Sequence, residues 1–166
     1  VGAIRFEHVD FRFSADYGLA LQNIDFQVTP GSTLGITGPT GSGKSALTQL
    51  IPRFYDVAAG KVIVDGQDVR KWPLQQLRQK IAMVPQTAVL FTGTIRENLQ
   101  WGKTDATDEE CWRALAIAQS RDFVEALPKQ LDTPIFEGGK NFSGGQKQRL
   151  TIARALIAQP DILILD

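Results

Sequence analysis

The stretch GPTGSGKS, residues 38–45, limits the possible folds of this chain more than any other part of the sequence. It matches the pattern G-x-x-x-x-G-K-[ST], which forms a phosphate-binding loop when it lies between a buried strand and a helix. The apolar run TLGIT precedes it, and apolar residues at helical spacing follow it, namely Leu47, Leu50, Ile51 and Phe54. This context favours a phosphate loop in an α/β core over the alternative, a flexible glycine turn with an exposed lysine.

Each residue type in this loop suits the binding of a nucleotide. Gly41 and Gly43 let the backbone curl so that successive N–H groups point at phosphate oxygens. Lys44 neutralises the β- and γ-phosphates, and the hydroxyl of Ser45 faces Mg²⁺. The predicted nucleotide-binding residues of the loop are Gly38, Pro39, Thr40, Gly41, Ser42, Gly43, Lys44 and Ser45.

Length and charge exclude several other classes of protein. A chain of 166 residues, 43% of them hydrophobic, can bury a substantial core. Its 18 basic and 18 acidic residues leave no excess charge for nucleic acid or a membrane surface. The single cysteine, Cys111, suits a reducing cytosol, and no apolar run approaches the ~18 residues of a membrane span. Because the sequence stops at DILILD, a buried-strand pattern, we expect a fragment of a longer polypeptide.

Hydrophobic periodicity predicts the order of the elements. Strands are predicted over AIRFEHVDFRF, LALQNIDFQVTPG, TLGIT, GKVIVDG, KIAMVPQ and DILILD. The pattern is helical from Thr94 to Leu127 and again from Ser143 to about Ala158. Within the first helical region, Thr107 and Glu110 form a predicted capping box. Strands at both ends with helices between them indicate an α/β core that carries a helical subdomain at about residues 94–158.

Two polar residues that follow predicted strands are candidate metal ligands. Asp166 ends DILILD, and a carboxylate at the C-terminal edge of a central parallel strand is placed to hold Mg²⁺. Gln86 follows KIAMVP, and its amide can bind Mg²⁺ or orient a water molecule. A plain exposed loop glutamine is the alternative for that position. Together with the loop serine, the predicted metal ligands are Ser45, Gln86 and Asp166.

A second candidate anion site lies about a hundred residues after the first. Ser143, Gly144, Gly145 and Gln146 stand at the start of a predicted helix, where open backbone N–H groups attract anions. One chain with one phosphate loop has no use for a second such site, so we interpret it as serving the nucleotide of a partner molecule. The alternative is a glycine-rich helix cap that binds no ligand.

These motifs together carry a family resemblance. GPTGSGKS, Gln86, FSGGQ and ILILD, in this order and spacing, resemble the nucleotide-binding domain of an ABC transporter over essentially the whole chain, residues 1–166. The resemblance implies a P-loop NTPase (RecA-like) α/β core with an antiparallel β subdomain and an inserted α-helical signature subdomain. It also implies ATP and Mg²⁺ as ligands, catalytic roles for Gln86 and Asp166, and a head-to-tail dimer in which Ser143–Gln146 contact the partner's ATP.

Finer similarities point to the exporter type of ABC transporter. VLFTGTIRENLQWG and ALPKQLDT resemble exporter sequences, in which a transmembrane domain belongs to the same polypeptide. The resemblance implies contact with that domain near Gln86–Asn98, a second nucleotide-binding domain as partner, and a location at the cytoplasmic face of a bacterial inner membrane. The family's adenine-stacking tyrosine falls at Phe13, with Tyr17 as a competing aromatic residue.

Two expected parts of the family's hydrolytic site lie outside this sequence. The catalytic glutamate would follow Asp166, and the switch histidine would come later; the only histidine, His8, is interpreted as a strand surface residue. We therefore expect an ATPase in the parent protein and ATP binding without efficient hydrolysis in this piece. The alternatives are a soluble ABC-type ATPase that is not linked to transport and, less favoured because no N-K-x-D motif is present, a small GTPase or kinase.

Overall fold

The computed structural model describes all residues, Val1–Asp166, and divides into two compact units, Val1–Ile81 and Ala82–Asp166. An antiparallel four-stranded sheet forms the framework of the first unit. Its strands are β1 (Ile4–Phe11), β2 (Leu21–Val28), β3 (Ala59–Val64) and β4 (Gln67–Asp68), in the order β2-β1-β3-β4. The predicted strands at β1, β2 and β3 are confirmed, whereas the two-residue strand β4 was not predicted.

A bulge in β1 keeps its apolar side chains on one face. Ile4 and Phe6 are buried, as are Val9 and Phe11, although strict alternation would place the second pair on the opposite face. The register shifts between Phe6 and Val9, where His8 has a φ of 46°. This irregularity inserts one residue and restores the buried face. The His8 side chain points outward and is largely exposed, as predicted.

Helix α1 (Lys44–Leu50) begins in the phosphate loop and is shorter than its apolar pattern indicated. Leu47 and Leu50 are buried as predicted, and the helix ends before Pro52, which cannot continue it. Phe54 was predicted to extend the apolar face of the helix, and that prediction is wrong. The residue lies beyond the helix end and is half exposed.

The predicted strand TLGIT is absent from the structure. Residues 32–39 have no regular secondary structure, and the side chains of Leu34 and Ile36 are 50% and 40% exposed. A strand is stabilised by hydrogen bonds to a neighbouring strand, and this segment joins neither edge of the four-stranded sheet. The apolar run therefore gave the right residue types for a strand but could not specify a partner. Helix α2 (Leu74–Gln79) completes the first unit.

Four helices and two small sheets form the second unit. Strand β5 (Ile81–Val84), whose first residue belongs to the first unit, pairs with β8 (Ile162–Leu165), and β6 (Gly93–Thr94) pairs with β7 (Pro134–Ile135). The helices are α3 (Ile95–Gln100), α4 (Asp108–Ile117), α5 (Arg121–Glu125) and α6 (Gly144–Leu156). None of the helices in the chain has the length and apolar character needed to span a membrane.

The continuous helical pattern predicted from Thr94 to Leu127 is divided into α3, α4 and α5. The first break lies at Gly102, where a side chain would collide with the carbonyl oxygen of Arg154. The second lies at Gln119, whose φ of 58° is incompatible with a helix. The predicted capping box of Thr107 and Glu110 is confirmed at the start of α4. Periodicity alone could not reveal the breaks, since the apolar residues on both sides face one core.

That core lies between α3, α4 and α6. Its buried residues include Leu99, Cys111, Leu115, Leu150 and Ala153. Strand β8 contributes less to burial than its sequence DILILD indicated. It was predicted to be a central, fully buried strand, but Leu163 and Leu165 are 40% and 62% exposed, because β8 has a single neighbouring strand and one covered face.

Candidate nucleotide-binding site

The phosphate loop has the curled backbone that its glycines predicted. Gly41 and Gly43 have φ values of 80° and 97°, in the region that favours glycine. Gly43 is also the N-cap of α1, and a Cβ at this position would lie 2.7 Å from the carbonyl oxygen of Ala20. No side chain caps the start of α1.

The ammonium group of Lys44 folds back over this loop. Its Nζ donates hydrogen bonds to the carbonyl oxygens of Gly38 at 2.5 Å and Pro39 at 2.8 Å. These partners are neutral, whereas phosphate oxygens are charged and make stronger hydrogen bonds to an ammonium group. The lysine is therefore held beside the loop by contacts that an anion can replace. Pro39, Thr40 and Ser42 are exposed around it.

Phe13, the predicted base-stacking residue, lies in a cluster of three aromatic rings. It is 53% exposed and in edge-to-face contact with both neighbours, Phe11 at 4.9 Å and Tyr55 at 5.3 Å between ring centroids. Tyr17, the competing candidate, is also exposed but makes no ring contact. The sequence reasoning missed Tyr55, and only its position in the aromatic pair Phe54–Tyr55, beyond the proline that ends α1, could have suggested it.

The two candidate residues of the second unit lie at one edge of the β5–β8 pair. The backbone N–H of Asp166 donates to the carbonyl oxygen of Val84 at 3.0 Å, so the C-terminal ends of both strands meet there. Gln86 follows two residues after Val84, and both Gln86 and Asp166 are exposed. The structure therefore brings these two residues to the same edge of the β5–β8 pair.

The chemistry of these side chains fits magnesium. Gln86 and Asp166 offer an amide and a carboxylate oxygen, and Ser45 of the first unit offers a hydroxyl. Mg²⁺ in nucleotide sites is commonly held by one or two protein oxygens together with phosphate and water. No group of three or more His, Cys, Asp or Glu residues that could hold a metal by itself occurs in the chain. Each of these side chains is therefore the kind of ligand that a metal bound together with a phosphate accepts.

Helix α6 begins at the second predicted anion site. Ser143 is its N-cap, and a capping box forms as Gln146 N–H donates to Ser143 Oγ at 3.2 Å and Ser143 N–H donates to Gln146 Oε1 at 2.9 Å. The side chains of Ser143 and Gln146 are thus engaged with each other. The N–H groups of Gly144 and Gly145 precede the first intrahelical bond, which Lys147 donates to the Ser143 carbonyl, and they have no partner within the helix.

The fold itself does not require glycine at these two positions. A Cβ at Gly144 would contact nothing within 4 Å, and one at Gly145 would lie 3.8 Å from Arg149 Nη1, an ordinary distance. Neither residue has a positive φ. The guanidinium of Arg149, which sequence reasoning did not assign, therefore lies beside the glycine pair and adds positive charge there.

Comparison with known proteins decides the family. The sequence profile described as ABC transporter matches residues 21–166. The chain belongs to the ABC transporter family. It is 47% identical over 165 residues to the ABC transporter ATP-binding protein YfiB of Bacillus subtilis and 46% identical over 164 residues to an ATP-dependent lipid A-core flippase of Desulfotalea psychrophila. In both cases 99% of this chain is covered.

A solved structure gives the same result. This ABC transporter chain superimposes on a bacterial Atm1-family ABC exporter with ATP bound, with a TM-score of 0.92 and 39% sequence identity over 99% of the chain. The predicted fold class, a P-loop NTPase with an antiparallel β subdomain and a helical subdomain, is confirmed. The chain spans 29% of YfiB, 28% of the flippase and 29% of the exporter.

The segment of this ABC transporter chain that follows Gln86 presents an exposed apolar surface. Val89, Phe91 and Trp101 form it, and the rings of Phe91 and Trp101 lie 4.7 Å apart. Arg154 supports the surface, since its Nη2 donates to the Val89 carbonyl at 2.8 Å and its guanidinium lies 5.3 Å from the Phe91 ring centre. Burial lowers the pKa of Arg154 from its ordinary value. Asn98, within the predicted contact range, is buried.

Proposed function

We propose that this chain is the nucleotide-binding domain of an ABC exporter, in which it binds and hydrolyses ATP to drive transport across a membrane. The observation that carries the proposal is the phosphate loop, where a lysine held by replaceable neutral contacts lies beside a curled, uncapped helix start. The proposed domain covers residues 1–166, with the helical subdomain at about residues 94–158.

ATP binding exchanges one set of Lys44 partners for another. Lys44 leaves the carbonyl oxygens of Gly38 and Pro39 and donates to the β- and γ-phosphates, with which it forms charge-assisted hydrogen bonds. The N–H groups of residues 41–45 bind the remaining phosphate oxygens. Phe13 provides the apolar face on which the adenine base stacks.

Metal binding and water positioning are assigned to three oxygen-bearing side chains. Ser45 contributes a hydroxyl, Asp166 a carboxylate and Gln86 an amide, and the assignment comes from the sequence motifs and the donor chemistry. When bound, Mg²⁺ neutralises charge on the transferred phosphoryl group. Gln86 and Asp166 are also the proposed catalytic residues of this chain, because both side chains can accept a hydrogen bond from an attacking water.

The start of α6 serves the ATP of a second nucleotide-binding domain. Ser143, Gly144, Gly145 and Gln146 are the residues assigned to this contact. The fold does not require glycine at Gly144 or Gly145, although glycine is unfavourable in a helix. A ligand that approaches the backbone closely would explain both residues, which supports the assignment. The two domains would associate head to tail, with each ATP between the loop of one and the α6 start of the other.

The transmembrane domain is the other proposed partner. We assign its contact to the surface near Gln86–Asn98, where Val89 and Phe91 are exposed beside Trp101. An aromatic surface with a partly buried arginine beside it has the composition of a protein–protein contact. This partner would hold the domain at the cytoplasmic face of the membrane, in bacteria the inner membrane. No nucleic acid partner is proposed, since the chain has no net charge.

A mixed dimer of the full-length protein tests the trans arrangement. One subunit carries Lys44→Ala and the other Gly144→Asp, which places a carboxylate against a γ-phosphate at a cost of about 4 kcal/mol for charges ~4 Å apart. If α6 serves the partner's ATP, both lesions fall on one composite site, and the dimer still occludes one ATP. If each subunit uses its own α6, none is occluded.

The matched control places both substitutions in one subunit and pairs it with a wild-type subunit. In the trans arrangement each composite site then contains one lesion, so no ATP is occluded. In the alternative arrangement the wild-type subunit keeps an intact site and occludes one. The two mixed dimers must therefore give opposite results, and a reversal of the expected pattern would refute the assignment of Ser143–Gln146.

A further inference from the structure

Phe13, the proposed base-binding residue, belongs to a cluster of three aromatic rings in the first unit. Phe11 is fully buried at the end of β1, whereas Phe13 and Tyr55 are half exposed. The Phe13 ring makes an angle of 76° with Phe11 and 90° with Tyr55, and the Phe11 and Tyr55 rings lie 5.5 Å apart. Each ring thus contacts the other two, and the cluster fixes the exposed ring of Phe13 from two sides.

Ring contacts are the means by which Phe13 can be oriented. A phenyl ring has no hydroxyl group, so no hydrogen bond can fix its direction. Edge-to-face contacts between aromatic rings are favourable and directional. Both neighbours meet Phe13 edge to face, so neither ring fills the parallel stacking position that a nucleotide base needs. The arrangement holds the ring and leaves room for a base.

Tyr55 is itself held by a short segment that follows α1. Arg78 binds this segment, since its Nε donates to the Pro52 carbonyl at 3.1 Å and its Nη2 donates to the Arg53 carbonyl at 3.0 Å. The guanidinium also lies 5.1 Å from the ring centre of Phe54. Tyr55 therefore has a defined position relative to α1, the helix that begins in the phosphate loop.

We infer that Tyr55 is a positioning residue for the nucleotide base, which sets the orientation of the Phe13 ring and is in turn held by Arg78. This inference rests on the proposed function, because it assumes that Phe13 stacks on adenine. The continuous path from α1 through residues 52–56 to Tyr55 and Phe13 fixes the stacking ring relative to the phosphate loop. Tyr55 thereby matters for ligands that carry a base and not for phosphates alone.

The test compares Mg-ATP with Mg-tripolyphosphate, which has the phosphate chain but no base, by titration calorimetry on the full-length protein. Tyr55→Leu removes the ring and should weaken ATP binding roughly three- to tenfold, the scale of a lost aromatic pair. It should leave tripolyphosphate binding unchanged, which also shows that the variant is folded. Tyr55→Phe keeps the ring and should bind both ligands as the wild type does.

Arg78→Gln provides the second variant, since it removes both the paired hydrogen bonds and the contact with Phe54. Like Tyr55→Leu, it should weaken the binding of ATP and leave the binding of tripolyphosphate unchanged. Arg5→Gln is the matched control, because Arg5 is an arginine of the same unit that pairs with Glu7 and Gln27 and not with residues 52–56. It should change neither ligand.

Three results would overturn the inference. If Tyr55→Leu weakened the binding of ATP and of tripolyphosphate equally, the effect would be a general one on the fold. If Tyr55→Phe weakened ATP binding as much as Tyr55→Leu does, the hydroxyl and not the ring would be the important group. Unchanged ATP binding in Tyr55→Leu would show that Phe13 needs no support. A wild-type protein that bound neither ligand would instead refute the proposed function, which separates the two failures.

Discussion

Asn98 and the backbone of Phe91 are joined by two reciprocal hydrogen bonds: Phe91 N–H donates to Asn98 Oδ1 at 2.8 Å, and Asn98 Nδ2 donates to the Phe91 carbonyl at 2.8 Å. The same Nδ2 donates to the Thr94 carbonyl at 3.0 Å. Asn98 is 3% exposed, so these bonds form away from water. An amide is the only side chain of this size that can donate and accept in this way.

We predict that Asn98→Asp lowers the free energy of unfolding by about 2–4 kcal/mol, because a buried carboxylate would face two carbonyl oxygens. Urea unfolding measures the change. Asn141→Asp is the matched control, since Asn141 also binds a backbone N–H and a carbonyl, at Phe136 and Pro134, but is exposed. The control should lose less than about 1 kcal/mol, and equal losses would contradict the role of burial.

Lys44→Ala should abolish measurable Mg-ATP binding. The side chain supplies a full positive charge at the loop, and loss of a charge-assisted contact of this kind costs about 2 kcal/mol or more. Titration calorimetry gives the dissociation constant directly. Lys61→Ala, which removes an exposed lysine paired with Glu7, is the control and should bind ATP normally. An unchanged dissociation constant for Lys44→Ala would refute the assignment of the loop.

Phe13→Ala should weaken ATP binding by roughly 1–3 kcal/mol, the scale of base stacking on an aromatic ring. Tyr17→Ala should have little effect, because Tyr17 is exposed and makes no ring contact. Equilibrium binding of ATP to both variants compares the two residues. If Tyr17→Ala proves to be the damaging change, the stacking residue is misassigned.

Two glycines should respond oppositely to substitution by alanine. Gly43→Ala places a Cβ 2.7 Å from a carbonyl oxygen in a backbone conformation of positive φ, and should cost about 1–3 kcal/mol of stability. Gly144→Ala meets open space in a helix and should leave stability unchanged or slightly raised. Thermal unfolding of the two variants tests this contrast. A comparable loss in both would show that the fold needs glycine at α6.

Asp65 should make stability depend on pH. Burial alone would raise the pKa of its carboxyl, but hydrogen bonds from the Ala3 N–H at 2.9 Å, Lys80 at 3.1 Å and the Gly2 N–H at 2.7 Å outweigh burial and lower the pKa below its ordinary value. A lowered folded-state pKa means that the stabilisation is complete above the unfolded pKa of about 4. It is lost as the pH falls through the folded-state pKa.

Urea unfolding at a series of pH values checks this dependence. Asp65→Asn removes the titrating group, so the decline in stability below about pH 4 should become shallower than in the wild type. Asp16→Asn, in an exposed loop, is the control and should leave the curve unchanged. Identical curves for the wild type and Asp65→Asn would contradict the prediction.

Features set by neighbouring residues in the sequence were predictable, whereas features set by distant partners were not. The capping box of Thr107 and Glu110 and the curled loop around Gly43 depend on local chemistry, and both were predicted. Strand pairing is not local, so TLGIT was assigned as a strand although it has no partner. Tyr55 was missed for the same reason, since its contact with Phe13 spans the whole segment from β1 to the end of α1.

Trp101 gives the protein an intrinsic optical signal for its proposed membrane partner. Of the three tryptophans, Trp101 is the exposed one, at 69%, while Trp72 and Trp112 are partly buried. Its indole lies against Phe91 in the proposed contact surface. An indole in water emits at longer wavelength than one in an apolar environment, so covering this surface would shift the emission of Trp101 to the blue. The docked and free domains therefore differ in the wavelength of their tryptophan fluorescence, without any added label.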